Sequence, residues 1–491
     1  MQALTNLDTS FLHIEDRKTP MHVGGVMLFS APADSAMTFE RFRRHVASRL
    51  QTARVFRQRL FMPPALLANP TWIEDPDFNL DNHLRCRVQI GELTHKALEG
   101  LSSLYFSIPL RLDQPLWQLL FVRTANPADG FAVLLKVHHC ALDGVSAEAV
   151  ITGLLDFTPE PRPMPKDTWQ PEALPSTLSV IRSRWVDFKQ TPTHTKVLLS
   201  SAAAVGTRLV KRTVSGQNRH LPRYFGAPRT PFNRSVSTER SYFGVQLSLS
   251  QIKAIKSSRQ GLTVNDVVLA ICAGATRRYL EACGDLPAAS LVAMAPVSRR
   301  GQDEKGLAGN KVSSMLIKLA TDIADPIERL SRIHTNAQKA KEYNRDVPVD
   351  SLMDLLPAIA PTVVLNAFST LKLGRQLPPI FNMVITNVAG SPVPLYLDGA
   401  MMQSISGMAG ITDGMALTFV IMSYRDNLSI NITTTPEAVL KPARLAQYLQ
   451  EAADELAAAL LPTVKPVKDV GRKTVSTPVV VDIKKGQQVA A

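Results

Sequence analysis

Two adjacent histidines end a long apolar segment of this sequence. His138 and His139 follow "FAVLLKV", and Asp143 and Gly144 complete the run "HHCALDG". Burial disfavours the charged imidazolium, so a histidine at the end of a buried segment stays neutral and can accept a proton near neutral pH. A positioned general base accelerates a reaction about 10²–10⁴-fold. The residue types and their spacing therefore indicate a site for acid–base chemistry.

Asp143 and Gly144 form a predicted turn into the next helix. The carboxylate could fix a histidine ring nitrogen or pair with a buried arginine, and glycine permits backbone angles that other residues resist. Two further interpretations stay open. The histidines could be interior polar groups with satisfied hydrogen bonds, or metal ligands together with Asp143, although no third histidine lies at a supporting spacing. No G-x-S-x-G nucleophile motif, phosphate loop or convincing dinucleotide fingerprint is present.

The segments around the histidines predict an α/β arrangement. "FAVLLKV" is apolar on both faces, as expected of a central strand, and ligand sites collect at the carboxyl ends of such strands. "HVGGVMLFS" predicts another strand, and "TFERFRRHVASRLQ" predicts a helix with Thr38 as its N-cap. A second α/β region begins near Tyr242 and includes a long helix, "TVNDVVLAICAGATRRYLEAC", and several strands.

A proline-rich and basic region separates the two α/β regions. Residues 159–176 contain six prolines and are predicted to be a linker. The basic residues that follow it are Arg182, Arg184, Lys189, Lys196, Arg208, Lys211, Arg212, Arg219, Arg223, Arg229, Arg234 and Arg240, against two acidic residues, Asp187 and Glu239. We therefore predict domains at 1–158 and 241–464, a Pro-rich linker and basic helical segment at 159–240, and a disordered tail at 465–491.

The composition favours a globular protein with anionic partners. The 491 residues are 45% hydrophobic and carry a net charge of +13. Four cysteines show no metal-binding spacing and are expected to be reduced thiols. We see no secretory signal and no apolar segment long enough to span a bilayer, so we expect a soluble or peripheral protein.

Several other segments occur in a fixed order along the chain. They are "TPMHVGG" (19–25), "QPLW" (114–117), "TVNDVVLA" (263–270), "MAPVSRR" (294–300), "GNKVSSM" (309–315) and "FNMVITNVAGSPVPLYLDGA" (381–400). With "HHCALDG", they resemble the HHxxxDG acyltransferase superfamily, which includes chloramphenicol acetyltransferase and peptide-synthetase condensation domains. Within it, the chain is similar to bacterial wax ester synthase/diacylglycerol acyltransferases over roughly residues 1–460.

The resemblance implies two chloramphenicol-acetyltransferase-like α/β domains with mixed sheets and an active-site tunnel between them. It assigns His139 as the general base that takes a proton from an alcohol, whose oxygen attacks the thioester carbonyl of acyl-CoA. His138 would support this geometry, and Asp143 with Gly144 would be structural and hold the loop through an arginine. Transfer would be direct, without a covalent enzyme intermediate, a metal or another cofactor, and acyl-CoA would be a co-substrate.

The resemblance also points to two pairs of substrate-binding residues in the second region. Asn265 and Asp266 would bring a helix end to the tunnel, although "TVND" is equally a helix-capping sequence. Thr386 and Asn387 follow a predicted apolar strand and could donate to the oxyanion or to CoA, or form a turn. The family usually has N-V-P-G where this chain has "NVAG". This departure and the glycine-rich segment 404–420 predict a looser tunnel wall. Such a wall would change the preferred chain length of the substrate more than the chemistry of the reaction.

The predicted function is transfer of a long-chain acyl group from acyl-CoA to a fatty alcohol, to diacylglycerol, or to both. The predicted partners are these substrates and an anionic membrane or lipid-droplet surface, with the protein cytoplasmic and peripheral to the inner membrane or lipid inclusions. The basic segment could instead be a solvated connector or attract the phosphates of CoA. Nucleic acid is not an expected partner, since no recognition motif is present.

Two other functions stay open from the sequence. One is a condensation-type acyltransferase with a carrier-bound acyl donor, which the absence of an attached carrier segment disfavours. The other is a non-catalytic lipid-binding protein of the same fold, which the intact "HHCALDG" disfavours.

Overall fold

Strands and helices of a mixed α/β fold make up most of the computed structural model, which describes residues 2–32, 36–62, 70–142, 147–174, 222, 226–298, 312–346 and 378–461. In these ranges the strands are β1 (Gln2–Ala3), β2 (His22–Phe29), β3 (Gln58–Phe61), β4 (Thr71–Glu74), β5 (Leu84–Val88), β6 (Trp117–Arg123), β7 (Phe131–His138), β8 (Ser241–Ser248), β9 (Val292–Ser298), β10 (Val312–Lys318), β11 (Met383–Val388), β12 (Tyr396–Leu397), β13 (Ala400–Met408), β14 (Leu417–Tyr424) and β15 (Asn427–Thr434). The α-helices are α1 (Asn6–Ile14), α2 (Phe39–Arg49), α3 (Glu99–Ser107), α4 (Ala147–Leu154), α5 (Leu249–Ser257), α6 (Val264–Cys283), α7 (Pro326–Asp346) and α8 (Pro442–Leu460).

Two six-stranded sheets form the framework of the two domains. The first has the order β12-β13-β2-β7-β6-β5, and the second has the order β10-β9-β11-β14-β15-β8. β5 is parallel to β6, and β11 is parallel to both β9 and β14, whereas the other pairs in these sheets are antiparallel. Both sheets are therefore mixed, and the predicted fold class is confirmed.

β7 is the central strand that leads to the histidines. All eight of its residues are buried, because β2 and β6 pair with its two edges and helices cover both faces. Phe106 of α3 packs on one face, whereas Phe42 of α2 and Leu154 of α4 pack on the other. A strand buried on both faces is not expected to alternate polar and apolar residues, which explains why the run in the sequence is apolar except for Lys136.

The predicted helices occur close to their expected bounds. Thr38 caps α2, since its hydroxyl accepts the backbone N–H of Arg41 at 3.1 Å. α6 begins after Thr263 and ends at Gly284, whose φ of 74° lies in the left-handed region that glycine adopts without strain. None of the helices in the described part of the chain is both long and apolar enough to cross a membrane.

One strand crosses from the second half of the chain into the first sheet. β13 pairs antiparallel with β2, with Ser406 opposite Val26, and β12 extends the sheet beyond β13. The sequence placed this segment inside the 241–464 domain and did not anticipate the crossing. The first sheet is thus built from both halves of the chain.

β13 also packs closely against the second sheet. A Cβ atom on Gly407 would lie 2.4 Å from Cγ1 of Val420 and 2.8 Å from Sδ of Met422, both on β14. The glycine at this position therefore permits close approach of the two sheets. This contact does not test the looser tunnel wall predicted for residues 404–420, which stays a prediction.

The first part of the Pro-rich linker, residues 159–174, lies against the first domain. Asp167 forms an ion pair with Arg57, and the Arg57 guanidinium lies 4.9 Å from the ring centroid of Trp169. The indole N–H of Trp169 donates to Glu74 at 2.6 Å. Most of the predicted basic segment and the predicted tail at 465–491 lie outside the described residues.

A buried ion pair joins three parts of the first domain. Arg49 at the end of α2 donates to Asp156 at 2.7 Å, and the two side chains are 1% and 2% exposed. The backbone N–H and C=O of Asp156 exchange hydrogen bonds of 2.8 Å with Tyr396 of β12. The carboxylate therefore stands where α2, the segment after α4 and the crossing strands meet.

Candidate active site

The two histidines have different surroundings at the end of β7. His138 is the last residue of the strand and is fully buried, whereas His139 begins a short 3₁₀ turn, His139–Leu142, and is partly accessible. The backbone N–H of His138 donates to Leu116 at 2.9 Å, and that of His139 donates to Met21 at 2.8 Å. Neighbouring segments on both sides therefore fix the main chain of the pair.

Both ring nitrogens of His138 have partners. The backbone N–H of Cys140 donates to Nδ1 at 3.2 Å, so Nδ1 carries the lone pair and Nε2 carries the proton. Nε2 lies 3.2 Å from Oε2 of Glu15 and donates to that carboxylate. His138 therefore has no nitrogen left for a metal ion or a substrate, which fits the supporting role predicted for it.

The ring of His139 is stacked and largely removed from water. The ring of Phe11 in α1 lies 4.0 Å away between centroids, with 27° between the planes. Burial, with a smaller contribution from His138, lowers the pKa of His139 to about 4, and a contact with its own backbone partly offsets this. Nδ1 is buried and has no hydrogen-bond partner in another described residue. The imidazole is therefore neutral at pH 7 and can accept a proton.

Buried basic groups next to the histidines hold α3 in place. Nε2 of His22, which lies opposite His138 in the sheet, is 2.9 Å from the carbonyl oxygen of Phe106. The ammonium of Lys136 donates to the carbonyl of Ile108 at 2.8 Å, and burial lowers its pKa to about 7. The last carbonyls of a helix lack partners within it, so these two side chains tie α3 to β2 and β7.

Asp143 and Gly144, the predicted loop residues, lie outside the described residues. The description stops at Leu142 and resumes at Ala147, the first residue of α4. The predicted arginine partner of Asp143 therefore stays a prediction.

Asn265 and Asp266 lie in the first turn of α6, in the second domain. Oδ2 of Asp266 accepts the backbone N–H and the hydroxyl of Thr263, both at 2.8 Å, and lies 2.9 Å from Nδ1 of His334. This reciprocal arrangement is a capping box, so the capping interpretation of "TVND" is confirmed. No hydrogen bond between described residues joins Asn265 or Asp266 to His138 or His139. Substrate binding by Asn265 and Asp266 stays a prediction.

Thr386 and Asn387 lie inside β11, where Thr386 pairs with Val420 and Asn387 with Ile421 of β14. The prediction that they follow the strand, or form a turn, was wrong because the pairing with β14 continues to the next residue. Thr386 is partly buried and Asn387 is exposed. Substrate binding by their side chains stays a prediction. No contact between described residues joins them to His138 or His139.

Glu15, Phe11 and Met21 were not predicted as site residues. Helix α1 carries Phe11 to the ring of His139, and Glu15, the C-cap residue of α1, accepts the backbone N–H of Met21. The available signal was the pair of carboxylates in "SFLHIED" (10–16), shortly before the family-like "TPMHVGG". A single sequence does not distinguish such a carboxylate from an ordinary surface residue.

Models of one protein family match both domains of the chain. The model of the wax ester synthase/diacylglycerol acyltransferase catalytic domain matches residues 4–268, and the model of the WS/DGAT C-terminal domain matches residues 308–457. The chain belongs to the wax ester synthase/diacylglycerol acyltransferase family. It is therefore an acyltransferase, and both histidines lie within the part matched to the catalytic domain.

Related proteins and solved structures agree with this family. A putative diacylglycerol O-acyltransferase of Mycobacterium tuberculosis is 32% identical over 465 residues, which cover 93% of this chain and 100% of the relative. The structure of the wax ester synthase/diacylglycerol acyltransferase from Marinobacter aquaeolei VT8 has a TM-score of 0.65 at 27% identity, covering 94% of this chain and 100% of that one.

A more distant structure supports the fold alone. Trichothecene 15-O-acetyltransferase from Fusarium sporotrichioides has a TM-score of 0.57 at 13% identity and covers 94% of this chain and 95% of that one. This member of the wax ester synthase/diacylglycerol acyltransferase family thus has a fold that is also found in a sequence-distant acetyltransferase.

Proposed function

We propose that the protein is an O-acyltransferase that moves a long-chain acyl group from acyl-CoA to a fatty alcohol, to diacylglycerol, or to both. The products are wax esters and triacylglycerol. The observation that carries the proposal is the neutral, partly accessible imidazole of His139, whose ring stacks on Phe11 and whose backbone is bonded to Met21. The acyl acceptors named in the descriptions of the relatives support the choice of substrates.

We propose His139 as the general base of a direct transfer. Nδ1 of His139 is buried, so we assign the free lone pair that meets the acceptor to Nε2. Nε2 takes the hydroxyl proton of the acceptor while its oxygen bonds to the thioester carbonyl carbon, and negative charge collects on the carbonyl oxygen. Collapse restores the C=O bond and breaks the C–S bond, and the proton passes from His139 to the sulfur of CoA. No covalent enzyme intermediate, metal or other cofactor takes part.

The other predicted residues have supporting parts in this proposal. Asp143 and Gly144 hold the turn after the histidines. Asn265 and Asp266, with the side chains of Thr386 and Asn387, contact the substrates in a tunnel between the domains. We also propose that the protein is cytoplasmic and works at an anionic membrane or lipid inclusion, which its net charge of +13 favours.

Release of CoA from palmitoyl-CoA by the purified protein is expected only when a long-chain alcohol or diacylglycerol is present. The reason is that the proposed base activates the acceptor hydroxyl rather than water. Thiol release is measured with a chromogenic thiol reagent, and the lipid products by chromatography. Equal release without an acceptor would show a thioesterase and contradict the proposal.

The same assay separates the two alternative functions. A condensation-type acyltransferase would use an acyl group on a carrier protein and leave palmitoyl-CoA intact. A non-catalytic lipid-binding protein would retain palmitoyl-CoA without turnover. An acceptor screen with one fixed acyl-CoA then gives the ratio of wax ester to triacylglycerol.

The value of kcat/KM is expected to be constant from pH 6 to pH 8. Burial lowers the pKa of His139 to about 4 from its ordinary 6.5, so the base is unprotonated throughout this range and activity falls only as the pH approaches 4. A midpoint near pH 6.5 would show a solvated imidazole. The same shift lowers the free energy of unfolding as the pH falls from 6.5 to 4, because the unfolded chain binds a proton that the folded ring does not.

A further inference from the structure

Glu15 lies where the contacts around His139 meet. It is the C-cap residue of α1, its backbone N–H donates to Phe11 at 3.1 Å, and its side chain is only 9% exposed. A carboxylate that is nearly buried needs partners for both of its oxygens. The partners of these two oxygens show which part of the site depends on Glu15.

Each carboxylate oxygen holds a different neighbour of His139. Oε1 accepts the backbone N–H of Met21 at 3.0 Å, and the carbonyl of Met21 in turn accepts the backbone N–H of His139 at 2.8 Å. Oε2 accepts the Nε2 proton of His138, the residue directly before His139. The Glu15 side chain thus links Met21, which bonds to the main chain of His139, with the imidazole of His138.

The helix that carries Glu15 also fixes the ring of His139. Phe11 lies four residues before Glu15, on the same side of α1, and stacks on the imidazole at 4.0 Å. The end of α1 at Glu15 therefore sets the place of Phe11 relative to β7. Glu15 is therefore connected to His139 in three ways: through Met21 to its main chain, through Phe11 to its ring, and through the preceding residue, His138.

We propose that Glu15 is a positioning residue for His139 in acyl transfer, acting through Met21, His138 and Phe11. The inference rests on the proposed function, in which His139 is the base. Position 15 requires a carboxylate, because both groups that face the Glu15 side chain are hydrogen-bond donors. Met21 presents a main-chain N–H, and the bond from Cys140 to Nδ1 fixes the proton of His138 on Nε2. A glutamine has one acceptor oxygen and one donor amide, so it satisfies one of these groups and opposes the other.

Glu15→Gln is expected to lower kcat about 10–100-fold, since small displacements of a reacting group have effects of this size. The KM for palmitoyl-CoA is expected to stay unchanged, because both carboxylate oxygens of Glu15 are already bonded to Met21 and His138. The matched control is Glu40→Gln, the same replacement at an exposed position in the first turn of α2. This control is expected to keep the wild-type kcat and KM.

A second arm tests whether Glu15 acts through His139. Glu15→Gln is measured in the wild-type chain and in the His139→Ala chain, with CoA release followed over long incubations. If Glu15 only positions His139, the replacement has no further effect once the imidazole is gone. A loss of global stability would lower the residual activity in both chains by the same factor.

The outcomes separate this inference from the proposed function. Wild-type kcat in Glu15→Gln, or an equal loss in the His139→Ala chain, would overturn the positioning role and leave the function intact. Absence of acceptor-dependent CoA release by the wild type would overturn the function itself. If circular dichroism shows Glu15→Gln unfolded, Glu15→Asp replaces it. This carboxylate is one methylene shorter and cannot span both donors, so retention of full kcat would refute the inference.

Discussion

Replacement of His139 by alanine is expected to lower kcat for acceptor-dependent CoA release about 10²–10⁴-fold. The imidazole is the only proposed acceptor of the hydroxyl proton, and its neutral form is secured by burial. The main chain at this position is bonded to Met21 through its backbone N–H, which alanine keeps, so the variant is expected to fold. Turnover is measured with palmitoyl-CoA and hexadecanol, and the fold is checked by circular dichroism.

His13→Ala is the matched control for that replacement. His13 lies two residues after Phe11, which turns it about 200° around α1 and away from the stacked ring. The control is expected to keep the wild-type kcat. A folded His139→Ala protein with normal turnover would remove the residue from the mechanism.

Replacement of Asp156 by asparagine is expected to lower the free energy of unfolding by about 3–5 kcal/mol. Asp156 and Arg49 are 2% and 1% exposed, so loss of the carboxylate charge leaves a buried guanidinium without its nearest counter-charge. Asparagine keeps the volume and the backbone bonds to Tyr396, but its amide also replaces one of the two oxygens that accept from Arg49 and from the backbone N–H of Arg162. Thermal unfolding followed by circular dichroism measures the effect as a lowered Tm.

The Arg43–Asp81 pair supplies the control for this comparison. Its side chains are 36% and 61% exposed, and exposed ion pairs contribute little to stability. Asp81→Asn is therefore expected to leave the Tm unchanged. Similar Tm values for Asp156→Asn and the wild type would show that the buried pair is not needed for stability.

Local patterns in the sequence were enough to predict most elements of the fold. The nearly unbroken apolar run before His138 predicted a strand buried on both faces, and β7 is such a strand. Thr38 and "TVND" predicted helix starts because capping depends on residues three positions apart. The family-like segments extended this to two mixed sheets, which the sequence pattern alone would not have specified.

Contacts between distant parts of the chain could not be predicted in the same way. The pairing of β13 with β2 depends on a register between segments far apart in sequence, and nothing in either segment encodes its partner. The site shows the same limit. His138 and His139 were evident from their spacing, but Glu15 and Phe11 reach them only through the packing of α1. The roles proposed for Asn265 and Thr386 still rest on resemblance.

The pairing of Ser406 with Val26 has a consequence for the newly made protein. These residues are about 380 positions apart, and a ribosome adding about 5–20 residues per second needs roughly 20–80 s to cover that distance. Throughout that time the outer edge of β2 has no strand beside it, and an unpaired edge of this kind is open to association with other chains. A chain that is released early, or that pauses before residue 400, therefore lacks β13 and is expected to aggregate through the open edge of β2.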